Sequence, residues 1–125
     1  MQLKQNVIDA ITSAENKVLA TTGSHGINAV PVSTVFVRDN EIWLVNYFFK
    51  KTAENIQSNS RVAFTCWSGL EEGYQIKGEV AYIEDGADFE EIQEWAGQEH
   101  PDRTVSAILK LTPEEVYDVS PVSNS

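Results

Sequence analysis

A chain of 125 residues with 42% apolar and 22% charged side chains has the size and composition of one globular domain, residues 1–125, able to bury a core of its own. Nineteen acidic against nine basic residues leave a net charge of −10, which repels phosphate backbones and excludes non-specific nucleic-acid binding. One cysteine and two histidines exclude an intramolecular disulfide and a zinc-finger framework. No leader-like segment and no run near the roughly 18 apolar residues of a membrane helix is present, so a soluble, cytoplasmic protein without a metal site is expected.

Residues 3–15 carry Leu3, Val7, Ile8, Ile11 and Ala14 at helical spacing and predict an amphipathic helix. A strand over 18–22 follows, ended by Gly23-Ser24-His25-Gly26, a composition suited to a tight turn. The apolar run 27–37 reads as a second strand interrupted by Pro31, whose missing N–H places it at an edge or a bulge. Residues 42–47, Ile-Trp-Leu-Val-Asn-Tyr, read as its hairpin partner. Thr52 is placed as the cap of a short helix over 52–58. Strands are predicted over 61–67 and 74–84, with a loop over 68–73 between them and Gly78 marking a close backbone approach. An acidic helix over 88–98 carries Phe89, Ile92, Trp95 and Ala96 on one face. A last strand over 105–111 precedes a turn at Thr112-Pro113, after which residues 116–119 extend or pair with it. Six strand-like runs joined mostly by hairpins argue a mainly β domain, an antiparallel barrel with peripheral helices. Neither a Rossmann nor a P-loop motif occurs.

Chemistry concentrates in Phe48-Phe49-Lys50-Lys51-Thr52. Two lysines directly before a helix add ammonium groups to the anion-binding N–H groups of its first turn. Lys50, Lys51, Arg61 and Lys77 form a local reversal of charge in an acidic chain. From spacing alone, such lysines are more often plain solvated surface.

The stretch Lys51-Thr52-x-x-Asn55-Ile56-x-x-Asn59-Ser60-Arg61-Val62-Ala63-Phe64, together with residues 18–22, 29–33 and 75–81, resembles the FMN-binding split-barrel family, which includes the pyridoxamine 5'-phosphate oxidases. The resemblance covers residues 5–111. It implies a six-stranded antiparallel split barrel forming a homodimer, with FMN at each end of the subunit interface. By position it gives the FMN phosphate to Lys51 and Thr52 with help from Lys50, and the flavin ring to Val30, Pro31, Val32 and Ser33. Asn46, Tyr47 and Phe48 form the adjoining wall, and Trp67 and Gln75 reach the flavin of the other subunit. Two positions depart from the family pattern: Ser60 stands where proline is usual, and Lys51 where arginine is, without the bidentate fork. The oxidases also extend past the barrel with Arg and His residues that grip pyridoxal phosphate, a tail not found here, so oxidation of pyridoxamine phosphate is not expected.

No residue has the setting of a dedicated acid or base, so redox work would rest on the cofactor, with a nicotinamide or a protein as electron partner. The alternatives are a flavin carrier or sensor without turnover, and the same barrel holding the deazaflavin F420 or haem, for which only His25 or His100 could serve as axial ligand. Cys66 in a strand pattern reads as a buried, inert thiol.

Overall fold

The computed structural model describes residues 1–122; the last three of the expected domain, 123–125, lie outside that description. Three helices and seven strands follow one another as α1 (Gln5–Ser13), β1 (Asn16–Thr21), β2 (Asn28–Pro31), β3 (Val35–Arg38), β4 (Glu41–Asn46), α2 (Lys50–Ser58), β5 (Arg61–Ser68), β6 (Glu72–Ile83), α3 (Ala87–Glu99) and β7 (Ala107–Asp118). The strands form one antiparallel sheet in the order β2-β1-β5-β6-β7-β4-β3.

The closure of this sheet follows from chain length. Its two edges, β2 and β3, are joined by residues 32–34 alone. Laid flat, seven strands would hold the edges about 29 Å apart, whereas four Cα steps span at most about 14 Å. The sheet therefore curls. Residues 32–34 step across the seam: the Val32 N–H donates to the Lys17 carbonyl on the β1 side (2.9 Å), and the Thr34 carbonyl accepts from Val45 on the β4 side (3.1 Å). The result is a split β-barrel.

Alternation along each strand divides the side chains between two cores. Leu19, Ile42, Leu44, Val62, Phe64, Cys66, Ile76, Val80, Leu109 and Leu111 fill the barrel, which Leu3, Val7 and Ile11 of the N-terminal segment and α1 close. Trp43, Val45, Tyr47 and Ile108, on the opposite face of β4 and β7, pack under Ile92 and Ala96 of α3. Burial on both faces explains why β4 reads as an unbroken apolar run rather than an alternating one.

Several boundaries differ from the sequence expectation. The helix expected over 3–15 is Gln5–Ser13, because Lys4 and Ala14 are extended at its two ends. The run 27–37 is two strands, since residues 32–34 must change sheet edges, and this raises the strand count from six to seven. Pro31 lies on an edge strand, as its missing donor requires. The expected loop over 68–73 is shorter, with Ser68 paired to Glu72. No turn forms at Thr112-Pro113. β7 runs straight through, Pro113 opposite Gly78, and the extra residue is absorbed by a register shift at Lys77/Gly78. Gly78 permits this, because a Cβ there would overlap the Thr112 carbonyl oxygen.

Candidate functional site

The second helix starts two residues earlier than predicted. Its N-cap is Phe49, which offers no side-chain cap. Thr52 is the third helical residue, fully buried, and its hydroxyl accepts from the Asn28 amide at 3.2 Å. The Thr52 side chain thus joins β2 to α2 rather than capping the helix. With no cap, the N–H groups that open α2 lack partners inside the helix, and Lys50 and Lys51 stand exposed beside them.

The approach to this helix is shaped by Asn46. Its amide oxygen accepts the Phe49 N–H at 2.6 Å, and its amide nitrogen donates to the Phe49 carbonyl (3.3 Å) and to the Tyr82 hydroxyl (3.1 Å). The expected wall residue Asn46 is therefore buried and engaged within the chain; it holds the tight turn that delivers Phe48 to the surface and sets Phe49 half-buried against the barrel core. Phe48 is 77% exposed, a large apolar ring held in water at the end of β4. Burial raises the Tyr82 hydroxyl above its ordinary range, partly offset by the bond to Asn46.

Two cavities meet at these phenylalanines. One, about 330 Å³, is lined by Asn46, Phe48, Phe49, Lys50, Glu54 and Tyr82 among others. The second, about 370 Å³, is lined by Pro31, Val32, Ser33, Tyr47, Phe48, Phe49 and Arg103. Pro31, Val32, Ser33, Tyr47 and Phe48 were all expected at the site, and the fold brings them to one wall; Lys50 faces the neighbouring cavity. Val30 is half-buried and packs against the barrel core.

Arg103 escaped the sequence reading. It lies in the loop before β7, with no motif around it, and its one signal was a cation in a strongly acidic chain. Its guanidinium sits 5.3 Å from the Tyr47 ring centroid and donates to the Ser33 hydroxyl at 3.5 Å. Tyr47 is itself fixed by a 3.0 Å hydrogen bond between its hydroxyl and Thr34, and its carbonyl accepts from the Ser106 hydroxyl at 3.2 Å.

Trp67 and Gln75 lie elsewhere. In the register of the sheet, Pro31, Val18, Thr65, Gln75 and Tyr117 form one row across five strands. Gln75 is three strands from Pro31, about 14 Å at ordinary strand spacing. A parallel row holds Ala29, Ala20, Ala63, Lys77 and Glu115. Trp67 ends the same outer face, opposite Asn16.

The charge reversal seen in sequence is only partly spatial. Arg61 is engaged by Glu114 at 2.8 Å, with Glu79 and Glu115 near 4 Å, and these carboxylates push its pKa further up. Lys77 lies over the Tyr117 ring at 5.5 Å. Lys50 and Lys51 remain. Cys66 faces the barrel interior, and burial pushes its thiol up to about 11. His25 meets Glu54 at 2.6 Å, and His100 packs its ring on Trp95 and Tyr47. No cluster of three or more metal-ligating side chains occurs among the described residues, and no helix among them is long and apolar enough to cross a membrane.

A flat, largely apolar ring with a phosphate tail fits these features: aromatic walls beside residues 31–33, then an uncapped helix start flanked by two lysines. Comparison with known proteins gives the family and the fold. A profile described as pyridoxamine 5'-phosphate oxidase matches residues 3–120. The crystal structure of HupZ from Group A Streptococcus superposes with a TM-score of 0.82 at 20% identity, covering 95% of each chain. An FMN-binding protein from Syntrophomonas wolfei gives 0.77 at 16% identity, over 90% of this chain and 83% of that one. HutZ, the heme storage protein from Vibrio cholerae, gives 0.69 at 13% identity, over 94% and 95%. No curated protein sequence matches the chain.

Proposed function

The chain belongs to the pyridoxamine 5'-phosphate oxidase family, and on that footing we propose that it is an FMN-binding flavoprotein working in hydride or electron transfer. The observation that carries this reading is the pair of cavities meeting at Phe48 and Phe49, one reaching Lys50 and the other the 31–33 strand end. FMN, when bound, supplies the redox chemistry of its ring; the chain supplies position and charge. Lys50, Lys51 and the first N–H groups of α2 hold the phosphate, Thr52 through its backbone. Ser33 and its neighbours in the 31–33 segment would meet the polar rim of the ring, and the exposed Phe48 would cover an apolar face. The cavity at 31–33 is lined by Pro31, Val32, Ser33, Tyr47, Phe48, Phe49 and Arg103, residues that would bind and orient the ring.

A homodimer completes the proposal. The outer face of β1, β5 and β6 carries Val18, Ala20, Ala63 and Thr65 beside Gln75 and Lys77 in its two rows, whereas α3 packs on β4 and β7. A second copy of the chain laid on that face would bury the rows and bring Gln75 and Trp67 toward the partner's flavin.

The test is the visible spectrum of the purified protein before and after FMN is added and the excess removed. Flavin bands that survive desalting support the reading, and their loss on adding NADH or NADPH separates an oxidoreductase from a carrier. A second reading, haem held beside this groove, has the likeness to HutZ and the half-buried His100, which packs on Tyr47 and lines the neighbouring cavity with Ser33 and Trp95, in its favour. A Soret band in place of flavin bands would select it. A colourless protein that takes up neither pigment sinks both.

A further inference from the structure

Each of the other two arginines has a carboxylate partner: Arg38 meets Glu91 at 2.5 Å and Arg61 meets Glu114 at 2.8 Å. Arg103 forms no ion pair among the described residues. Its place is fixed by neutral groups instead. The Tyr47 ring lies beneath its guanidinium, the Ser33 hydroxyl accepts from it, and its own N–H closes a turn on the His100 carbonyl at 2.9 Å. A half-buried cation held in place without a counter-charge, in a chain of net charge −10, prepares the cavity of Pro31, Val32, Ser33 and Phe48 for a negative group. Lys50 and Lys51 attend the other end of the groove. The molecule therefore has two separate positive ends joined by an aromatic wall.

Resting on the FMN reading above, we propose that Arg103 is the counter-charge to the pyrimidine edge of the flavin ring, N1 and C2=O, and so favours the reduced cofactor. When a hydride donor delivers two electrons and one proton to the ring, one net negative charge is left at that edge. A fixed guanidinium beside it stabilises the reduced form more than the neutral oxidised form, which raises the two-electron potential.

The experiment is a dye-equilibrium reduction of the FMN-loaded protein with dithionite, for wild type, Arg103→Gln, Arg103→Lys and Arg103→Glu. Dissociation constants for oxidised FMN are measured in parallel. Arg103→Gln is expected to weaken reduced FMN about tenfold more than oxidised FMN, a fall of about 30 mV for a two-electron couple. Arg103→Glu should fall further, and Arg103→Lys should stay near wild type. Arg103→Met replaces the glutamine variant should that one fail to fold. Two results overturn the assignment: a glutamine variant that keeps FMN and the wild-type potential, or a lysine variant that falls as far as glutamine. A wild-type protein that holds no FMN removes the underlying reading, and this assignment with it, before any variant is made.

Discussion

The side chain of Asn55 accepts the backbone N–H of His25 at 2.8 Å across 30 residues of sequence. Its amide nitrogen donates to the Gly26 carbonyl (2.9 Å) and the Thr21 hydroxyl (3.1 Å). One fully buried amide thus binds the β1–β2 turn to α2, and with it fixes the helix start relative to the strand end at residues 31–33. Gly23 lets the turn come this close, since a Cβ there would lie 2.7 Å from the Asn55 carbonyl oxygen.

Asn55→Ala strands several of these groups at once. The expected loss is about 2–3 kcal/mol, a fall in melting temperature of roughly 3–5 °C per kcal/mol for a domain of this size. Thermal melts of the two proteins check it, and coincident curves would show that water replaces the amide at no cost.

Gly78→Ala tests the bulge at the β6–β7 register shift. The added methyl meets backbone, the Thr112 carbonyl, rather than a flexible side-chain end, so the strands must part. A destabilisation of about 3 kcal/mol or more is expected, measured by urea denaturation. An alanine variant as stable as wild type would mean the bulge relaxes freely.

Where hydrophobic period and turn chemistry speak locally, the sequence reveals the fold: the helix at Ala87–Glu99, the edge position of Pro31 and the tight approach at Gly78 are all readable from neighbours in the chain. What hides is what depends on distant residues. Residues 32–34 look like strand and become a seam only because the sheet edges must meet. Thr112-Pro113 carries turn chemistry that the pairing of β6 with β7 overrides. Thr52 looks like a cap until Asn28, on another strand, takes its hydroxyl. Arg103 is placed by the ring of Tyr47, some 56 positions away, and no spacing rule reaches that far. The wall of residues 31–33, Tyr47 and Phe48 was legible through family resemblance, not through any local signal.

The proposed phosphate cradle can be separated from the proposed ring site by choice of ligand. Lys50→Ala combined with Lys51→Ala is expected to weaken FMN at least tenfold while changing riboflavin affinity less than threefold, since only FMN carries the phosphate. Thr52→Val, which removes a hydroxyl engaged by Asn28, should cost stability but leave the FMN-to-riboflavin ratio unchanged. Flavin fluorescence titration reads both. Equal losses for the two flavins in the lysine variant would take the phosphate away from these residues.

Cys66 offers a check on the barrel interior. With its thiol pushed up to about 11 by burial, roughly one molecule in a thousand carries thiolate at about pH 8. An aromatic disulfide reagent should therefore find no reactive thiol in the folded protein within minutes, and one thiol per chain in denaturant. Rapid labelling of the native protein would place Cys66 on a different face of β5.

The contact between His25 and Glu54 makes the helix start sensitive to acid. The hydrogen bond from His25 holds the Glu54 carboxyl below its ordinary value of 4.5; desolvation opposes it, and the smaller charge effects of His25 and Lys50 add to the lowering. A carboxyl whose folded value is depressed releases its proton more readily in the folded state than in the unfolded chain. Its contribution to stability is therefore complete above the unfolded value and disappears as pH falls through the folded one. Glu54→Gln should be less stable than wild type above about pH 5, and the gap should close as the pH is lowered toward about 3. Because Glu54 is solvent-exposed, the gap is small, and paired urea titrations across that range are needed to see it. A gap that persists unchanged into acid would assign the effect of the substitution to packing on His25 rather than to the carboxylate charge.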